Sequence, residues 1–444
     1  MNLINGKEVI VMDNKSSNKQ GIILVIFILL VGIGVIVYNR IDVDGKIRNE
    51  KKKEKIVINN DTNYNLRLIK EVNKNENKNY LISPYSIKVA LNMLAEGANN
   101  ETREEILNLV GDSSNKITPI KNRINDANAI FIKNKYEEYI EKEFINNIKQ
   151  DYNGDVLLDE FKNPSVINNW VKKQTYDMIP NLLDDIDEEF VLGLANAIAI
   201  DVEWDSKFDC YSTKKKEFNK IDKTTMNVSM MSNSYDNDAQ YILNNKYKGV
   251  ILPYASYNKK GEIDYDVNEH LEFVGIIPNS DVNSFVNNLD DNFLKNIDKE
   301  TKKVSSKVKL LLSIPSFSYD YSLEGFKDVL KNLGVKKAFS SEEADFSKII
   351  TDEIRKKNSI DNIYVDQAIH KTHIELNESG TKAAAVTFFG VETMGYDPNK
   401  EEPKIVEIKF DKPFFYLIRD SINKEILFFG VVYEPDVYKE RKCD

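Results

Sequence analysis

The three histidines of this chain are His270, His370 and His373, and its two cysteines are Cys210 and Cys443. Such side chains bind metals, shuttle protons or attack carbonyls, so their spacing is the first test of an enzymatic reading. A zinc hydrolase wants a pattern such as His-Glu-x-x-His, and none occurs. There is no Gly-x-Ser-x-Gly elbow and no Gly-x-x-x-x-Gly-Lys phosphate loop. One Ser-x-x-Lys, Ser113 to Lys116, stands without companion motifs. No nucleophile–base set is visible, so neither an enzyme nor a bound metal or cofactor is expected. Cys210 and Cys443 lie far apart in no metal-ligand spacing; two free thiols is the plainer reading, with one disulfide left open.

A different kind of chemistry is suggested by "ELNESGTKAAAVTFFGVETMGY", Glu375 to Tyr396. It begins like a strand, turns at Ser379-Gly380, and continues through Thr381, Lys382, Ala383, Ala384, Ala385, Val386 and Thr387. The alanines suit a helix while the flanking Thr, Val and Phe residues favour strand. The segment is small, free of proline up to Tyr396, and undecided between strand and loop.

The elements that must position it are read from the rest of the 444 residues, which are 41% hydrophobic and 30% charged. That is ample for a large core. A net charge of −10 argues against sequence-independent nucleic-acid binding. Residues 21–38 carry no charge for 18 positions, about 27 Å of helix, with polar segments on both sides and no small-residue cleavage site following. They are expected to form a single uncleaved membrane anchor after a polar segment 1–20. Residues 39–63 then read as a juxtamembrane linker. Arg40, Lys46, Arg48 and Lys51 to Lys53 after the span would by charge bias hold the main domain in the cytosol.

Ser83 and Pro84 announce a helix, with Ile87, Ala90, Leu91 and Leu94 on one face. Residues 191–200 form a nearly continuous apolar run, expected as a strand buried on both faces. "LEFVGIIPN", "SKVKLLLSIPSFSY" and "KEILFFGVVYEP" read as further strands, and "LEGFKDVLKNLGV" as an amphipathic helix closed by Gly334. Strands and helices are interspersed without regular alternation, which predicts one large α+β domain over 64–436 and a short tail over 437–444.

Five blocks, in order, carry a family resemblance. "NYLISPYSIKVALNMLAEGANNETREEI" (79–106), "LANAIAIDVEWDSKF" (194–208), "IPSF" (314–317), "IHKTHIELNESGTKAAAVT" (369–387) and "FDKPFFYLIRDSINKEILFFGVVYEP" (410–435) resemble the signature segments of the serpins. The resemblance implies a large central, mainly antiparallel sheet, smaller sheets, about eight helices and an exposed reactive-centre loop. It also implies an inhibitor of serine proteases, or of papain-like cysteine proteases, that works as a suicide substrate. After attack the loop enters the central sheet as a new strand and carries the acyl-enzyme with it.

On that resemblance Glu378, Ser379, Gly380, Thr381, Ala383, Ala384 and Ala385 form the loop hinge. A strand entering a half-buried sheet places alternate residues inside, and Thr381, Ala383, Ala385 and Thr387 are all small. Met394-Gly395 is the favoured reactive bond, 17 residues from Glu378, with Tyr396 as runner-up. Met suits elastase-, chymotrypsin- or subtilisin-like targets. Ser83, Ser86, Asn196 and His370 match a polar cluster under the point where the sheet opens, and Trp204 an aromatic at its top. Two departures stand out. Only residues 112–124 connect "EILNLVG" to "NDANAIF", where a helix of several turns is usual, so heparin-like activation is not expected. Ser316 occupies a position that often carries a Lys paired with the hinge acid, leaving Glu378 in need of another partner.

A monomer is expected, single-pass in the cell membrane, with its domain outside the cell where such proteases act. A non-inhibitory binding or structural role is the alternative. Bulky, charged or proline residues in the hinge would favour it, and none lies between Gly380 and Thr387 apart from Lys382.

Overall fold

The first described helix, α1 (Tyr64–Asn73), is followed by strand β1 (Tyr80–Ile82) and helices α2 (Pro84–Gly97) and α3 (Asn100–Val110). The computed structural model describes residues 64–111, 117–187, 190–237, 239–365, 368–381, 402–440 and 443. Next come β2 (Ile124–Lys133), α4 (Lys142–Asp151), β3 (Asp155–Asp159), α5 (Ser165–Gln174), β4 (Leu192–Ile200) and β5 (Val202–Glu203). Five strands follow: β6 (Lys214–Asn219), β7 (Thr225–Tyr235), β8 (Gln240–Leu243), β9 (Tyr247–Pro253) and β10 (Leu271–Pro278). Helices α6 (Val282–Asn287) and α7 (Asp291–Asn296) lead to β11 (Lys302–Lys303), β12 (Val308–Pro315) and β13 (Phe317–Ser322). After α8 (Phe326–Asn332) and α9 (Asp352–Asn358) the chain ends in β14 (Lys371–Leu376), β15 (Gly380–Thr381), β16 (Lys404–Lys409), β17 (Phe414–Asp420) and β18 (Ile426–Val432).

The strands form a seven-stranded sheet (β1-β18-β17-β10-β9-β8-β11), two four-stranded sheets (β16-β12-β7-β6 and β13-β14-β15-β5) and a three-stranded sheet (β3-β2-β4). Pairing is antiparallel except β12 with β16 and β2 with β3. The α+β class agrees with the sequence, and nine α-helices lie among the described residues where about eight were expected. The described residues, from Tyr64 onward, belong to one compact unit.

Several local expectations are refined. Helix α2 starts as read, with the Ser83 hydroxyl accepting from the Ser86 amide and Pro84 in its first turn. It is buried nearly all round rather than on one face, because Asn92, Met93 and Ala95 are covered as well as Ile87 and Leu91. "SKVKLLLSIPSFSY" is two strands, not one. Pro315 has no N–H to extend a ladder, and the chain leaves β12 at Ser316 to join a different sheet as β13. Strand β4 is fully buried only in its second half, from Ala197 on, so the expectation of burial on both faces throughout is corrected. Its alternation sorts two cores. Ala195 and Ala197 pack with Trp170 and Val171 of α5 on one face, while Ile198 and Ile200 face Trp204 and Phe273 on the other.

The single-pass membrane localisation is also corrected. No helix among the described residues is long and apolar enough to cross a membrane. The longest, α2, has 14 residues, about 21 Å, against the ~20 residues a span needs. The segments 1–20, 21–38 and 39–63 lie outside the described residues.

The two cysteines are not free thiols. Cys210 and Cys443 are disulfide-bonded with Cα atoms 5.8 Å apart, because the tail folds back along β7. Val437 bridges Val228 there, and the Tyr438 amide donates to the Asn227 carbonyl. Sequence separation of 233 residues gave no hint of that return.

Candidate functional site

The site begins as a break in a sheet. Strand β14 pairs with β13 and, at its end, with β15; strand β4 pairs with β2. Among the described residues β4 and β14 share no ladder. A cavity of about 20 Å³ lies between Ile198, Ala199 and Ile200 of β4 and His373, Ile374 and Glu375 of β14, with Thr381 also in its wall.

Strand β15 plugs one end of this gap. Thr381 lies opposite Leu376 on one side and Val202 on the other, and Gly380 lies opposite Glu203. The turn that delivers it is built by Asn377, whose side-chain oxygen accepts from the Ser379 and Gly380 amides at 2.9 and 3.3 Å. Gly380 is required by contact: a Cβ there would sit 2.1 Å from the Val202 carbonyl oxygen. The turn is docked by four further hydrogen bonds. The Trp204 amide donates to the Ser379 carbonyl and the Phe208 amide to the Glu378 carbonyl, both at 2.9 Å. The Trp204 indole N–H donates to the Asn377 carbonyl at 2.9 Å. The Thr213 hydroxyl donates to the Glu378 carboxylate at 2.8 Å, giving the hinge acid a neutral hydrogen-bond donor as partner.

Thr381 is 3% exposed, and its hydroxyl is hydrogen-bonded to the Tyr254 hydroxyl at 2.6 Å. Burial pushes the Tyr254 phenol well above its ordinary range while the Thr381 contact draws it back, so it stays protonated and available to this bond. Trp204 stacks on Tyr254 with ring centroids 4.5 Å apart and meets Phe208 and Phe273 edge-on. Beside them Glu203 is ion-paired with Arg123 at 3.0 Å and Lys207 at 2.5 Å, and its amide donates to the Tyr257 hydroxyl. Burial alone would raise the Glu203 carboxyl, but the two cations hold it below the usual carboxylate range. Strand β5 is thereby fixed as an edge against which β15 can form.

The polar residues named from sequence also meet. The Ser83 amide donates to His370 Nε2 at 3.0 Å, which puts the His370 proton on Nδ1. Ser83 caps α2 through the Ser86 amide, and the Ser86 hydroxyl donates to Asn196 Oδ1. Asn196 in turn donates to Asp126 at 2.8 Å and Asn128 at 2.9 Å. This chain runs from beside β14 to the middle of β4 through the N-terminus of α2, joining the two sides of the gap. Burial drives His370 down to about 4, so it is neutral near pH 7.

Of the expected site residues, Ser83, Ser86, Asn196, His370, Trp204, Glu378, Ser379, Gly380 and Thr381 are thus brought to one break in the sheets. Ala383, Ala384, Ala385, Met394, Gly395 and Tyr396 lie outside the described residues. Sequence reading missed Asp126, Thr213, Tyr254 and Asn377. Only Asn377 carried a usable signal, as an Asn just before a Ser-Gly turn. Between Val110 and Ile124, the described residues 117–123 hold no helix.

A family model described as Serpin (serine protease inhibitor) matches residues 59–435. An uncharacterized serpin-like protein of Methanosarcina mazei is 30% identical over 392 residues, 81% of this chain and 82% of its own. Human glia-derived nexin is 29% identical over 386 residues, covering 80% of this chain and 88% of its own. The crystal structure of a thermophilic serpin, tengpin, in its native state matches with a TM-score of 0.68 at 29% identity, covering 87% of this chain and 96% of that one.

Proposed function

The chain belongs to the serpin family, whose members are generally protease inhibitors rather than enzymes, and we propose that it inhibits serine proteases by suicide-substrate trapping with insertion of its loop between β4 and β14. The observation that carries this reading is β15. Thr381 already occupies the first rung of a strand whose further rungs coincide with an unpaired gap.

Extending both ladders by register sets Ala383 opposite Ile374 and Ile200, and Ala385 opposite Thr372 and Ile198. These inward positions are tight, and methyl-sized side chains suit them. Met394-Gly395 is the proposed reactive bond and Tyr396 the second choice. A segment of 17 residues spans roughly 55 Å when extended, enough to carry a bound protease far from its docking position. The distorted acyl-enzyme then hydrolyses slowly, and inhibition is kinetic.

The test is incubation with elastase-, chymotrypsin- and subtilisin-like proteases. The expected result is a complex stable on denaturing gels and a released peptide beginning at Gly395. Turnover of the loop by every protease, with no complex, would leave a substrate or binding protein instead.

A further inference from the structure

The Cys210–Cys443 disulfide is anchored at the turn that leads directly into Thr213, the residue that holds the hinge acid Glu378. Cys210 opens a single 3-10 turn, Cys210–Ser212, and the next residue is Thr213. That turn is organised by Asp209, whose carboxylate accepts from the Tyr211 amide and the Ser212 hydroxyl, both at 3.0 Å. On its upstream side Phe208 donates to the Glu378 carbonyl, and on its downstream side Thr213 donates to the Glu378 carboxylate. The segment 208–213 therefore grips Glu378 at both ends, and the disulfide is fastened to its middle. The other end of the disulfide, Cys443, follows the segment that returns along β7. Tyr211, 68% exposed, holds the Cys443 carbonyl at 3.4 Å, and both cysteines are partly exposed, within reach of a small thiolate.

We propose that this disulfide is a thiol-sensitive tether on the loop hinge: closed, it steadies the turn that grips Glu378, and reduced, it releases the tail and loosens that grip. The chemistry is a two-electron exchange with a dithiol. Its thiolate attacks one sulfur to give a mixed disulfide, and its second thiol displaces the protein sulfur. The products are the Cys210 and Cys443 thiols and a cyclic oxidised reductant. Loss of the Thr213 contact removes one charge-assisted hydrogen bond from the docked turn. The consequence for loop entry rests on the trapping reading above; the consequence for the hinge does not.

The experiment compares oxidised protein, protein reduced with dithiothreitol, and Cys443→Ser, first confirmed to be folded by thermal melting. Hydrogen exchange at the Trp204 and Phe208 amides, which donate to the hinge carbonyls, is the direct readout. Reduction and Cys443→Ser should each speed it about tenfold, and the rate of protease trapping should rise with it. Thr213→Val keeps the disulfide but removes the hydroxyl. It should show fast exchange when oxidised and little further change on reduction. Unchanged exchange on reduction overturns the tether, as does a Thr213→Val protein that responds to reduction as fully as wild type. If exchange responds but the oxidised protein traps no protease, the tether stands and the inhibitory reading falls.

Discussion

Asn196 uses its whole side chain: its oxygen accepts from Ser86, and its amide nitrogen donates to Asp126 and Asn128. At the other end of the polar chain, His370 accepts from the Ser83 backbone amide and so must stay neutral. Protonating that nitrogen would leave the Ser83 N–H facing a donor inside the core. The folded pKa is about 4 against 6.5 for the free side chain, so the sign is set. Above pH 6.5 both states are neutral and nothing changes. Between 6.5 and about 4 the unfolded state binds the proton first, and stability falls by about 3 kcal/mol across that window. Denaturant melts at pH 7, 5.5 and 4 should show this loss, and His370→Gln should flatten it. A His370→Gln protein with the same pH slope would assign the loss to other groups. A second residue-scale expectation concerns Tyr254→Phe, which leaves the Thr381 hydroxyl buried without this partner. It should cost about 1–2 kcal/mol, read in the same melts.

At the scale of the element, β15 is a strand of two residues, and its growth is limited by what each further residue places beside β14 and β4. Thr381→Arg would force a cation into a position now 3% exposed, at several kcal/mol even after relaxation. The variant should still be cut at the same bond but release active protease, raising the stoichiometry of inhibition several-fold. Unchanged stoichiometry would rule out entry of this strand. One residue on, continuing the same register, an entering strand would set Lys382 between Glu375 of β14 and Asp201 just past β4, on the outward face. Lys382→Arg should therefore leave trapping intact. Lys382→Glu, which opposes two carboxylates, should slow trapping measurably at low salt and less so at high salt. Equal slowing at both ionic strengths would place the effect elsewhere.

On the scale of the whole molecule, beyond the two-residue plug of β15 the two sides of the gap share no β ladder among the described residues and are joined through α2 and the Ser83–Asn196 chain. Filling that gap with a strand would satisfy the facing edges of β4 and β14 together and bury a new row of side chains. Cleavage within the loop, without any trapped protease, should therefore raise the melting temperature by roughly 10 °C or more. Differential scanning calorimetry before and after limited proteolysis reads it directly. A cleaved protein that melts no higher than the intact one would mean that the loop does not enter.

Much of this was readable from local signals. The cap and Pro at the start of α2, the apolar runs of β10 and β18, and the turn at Ser379-Gly380 each follow from propensity and patterning within a few positions. The five ordered blocks carried the family. What the chain alone could not decide were the meetings of residues remote in sequence. Thr213 reaches Glu378 across 165 positions, Tyr254 reaches Thr381 across 127, and Cys443 returns to Cys210 across 233. Each is made by ladders and turns that bring distant segments side by side, and nothing in a residue's own neighbourhood encodes its partner across such a fold. The same limit made two free thiols the plainer reading and made one strand of the two that part at Ser316, because both questions turn on which sheet a segment joins.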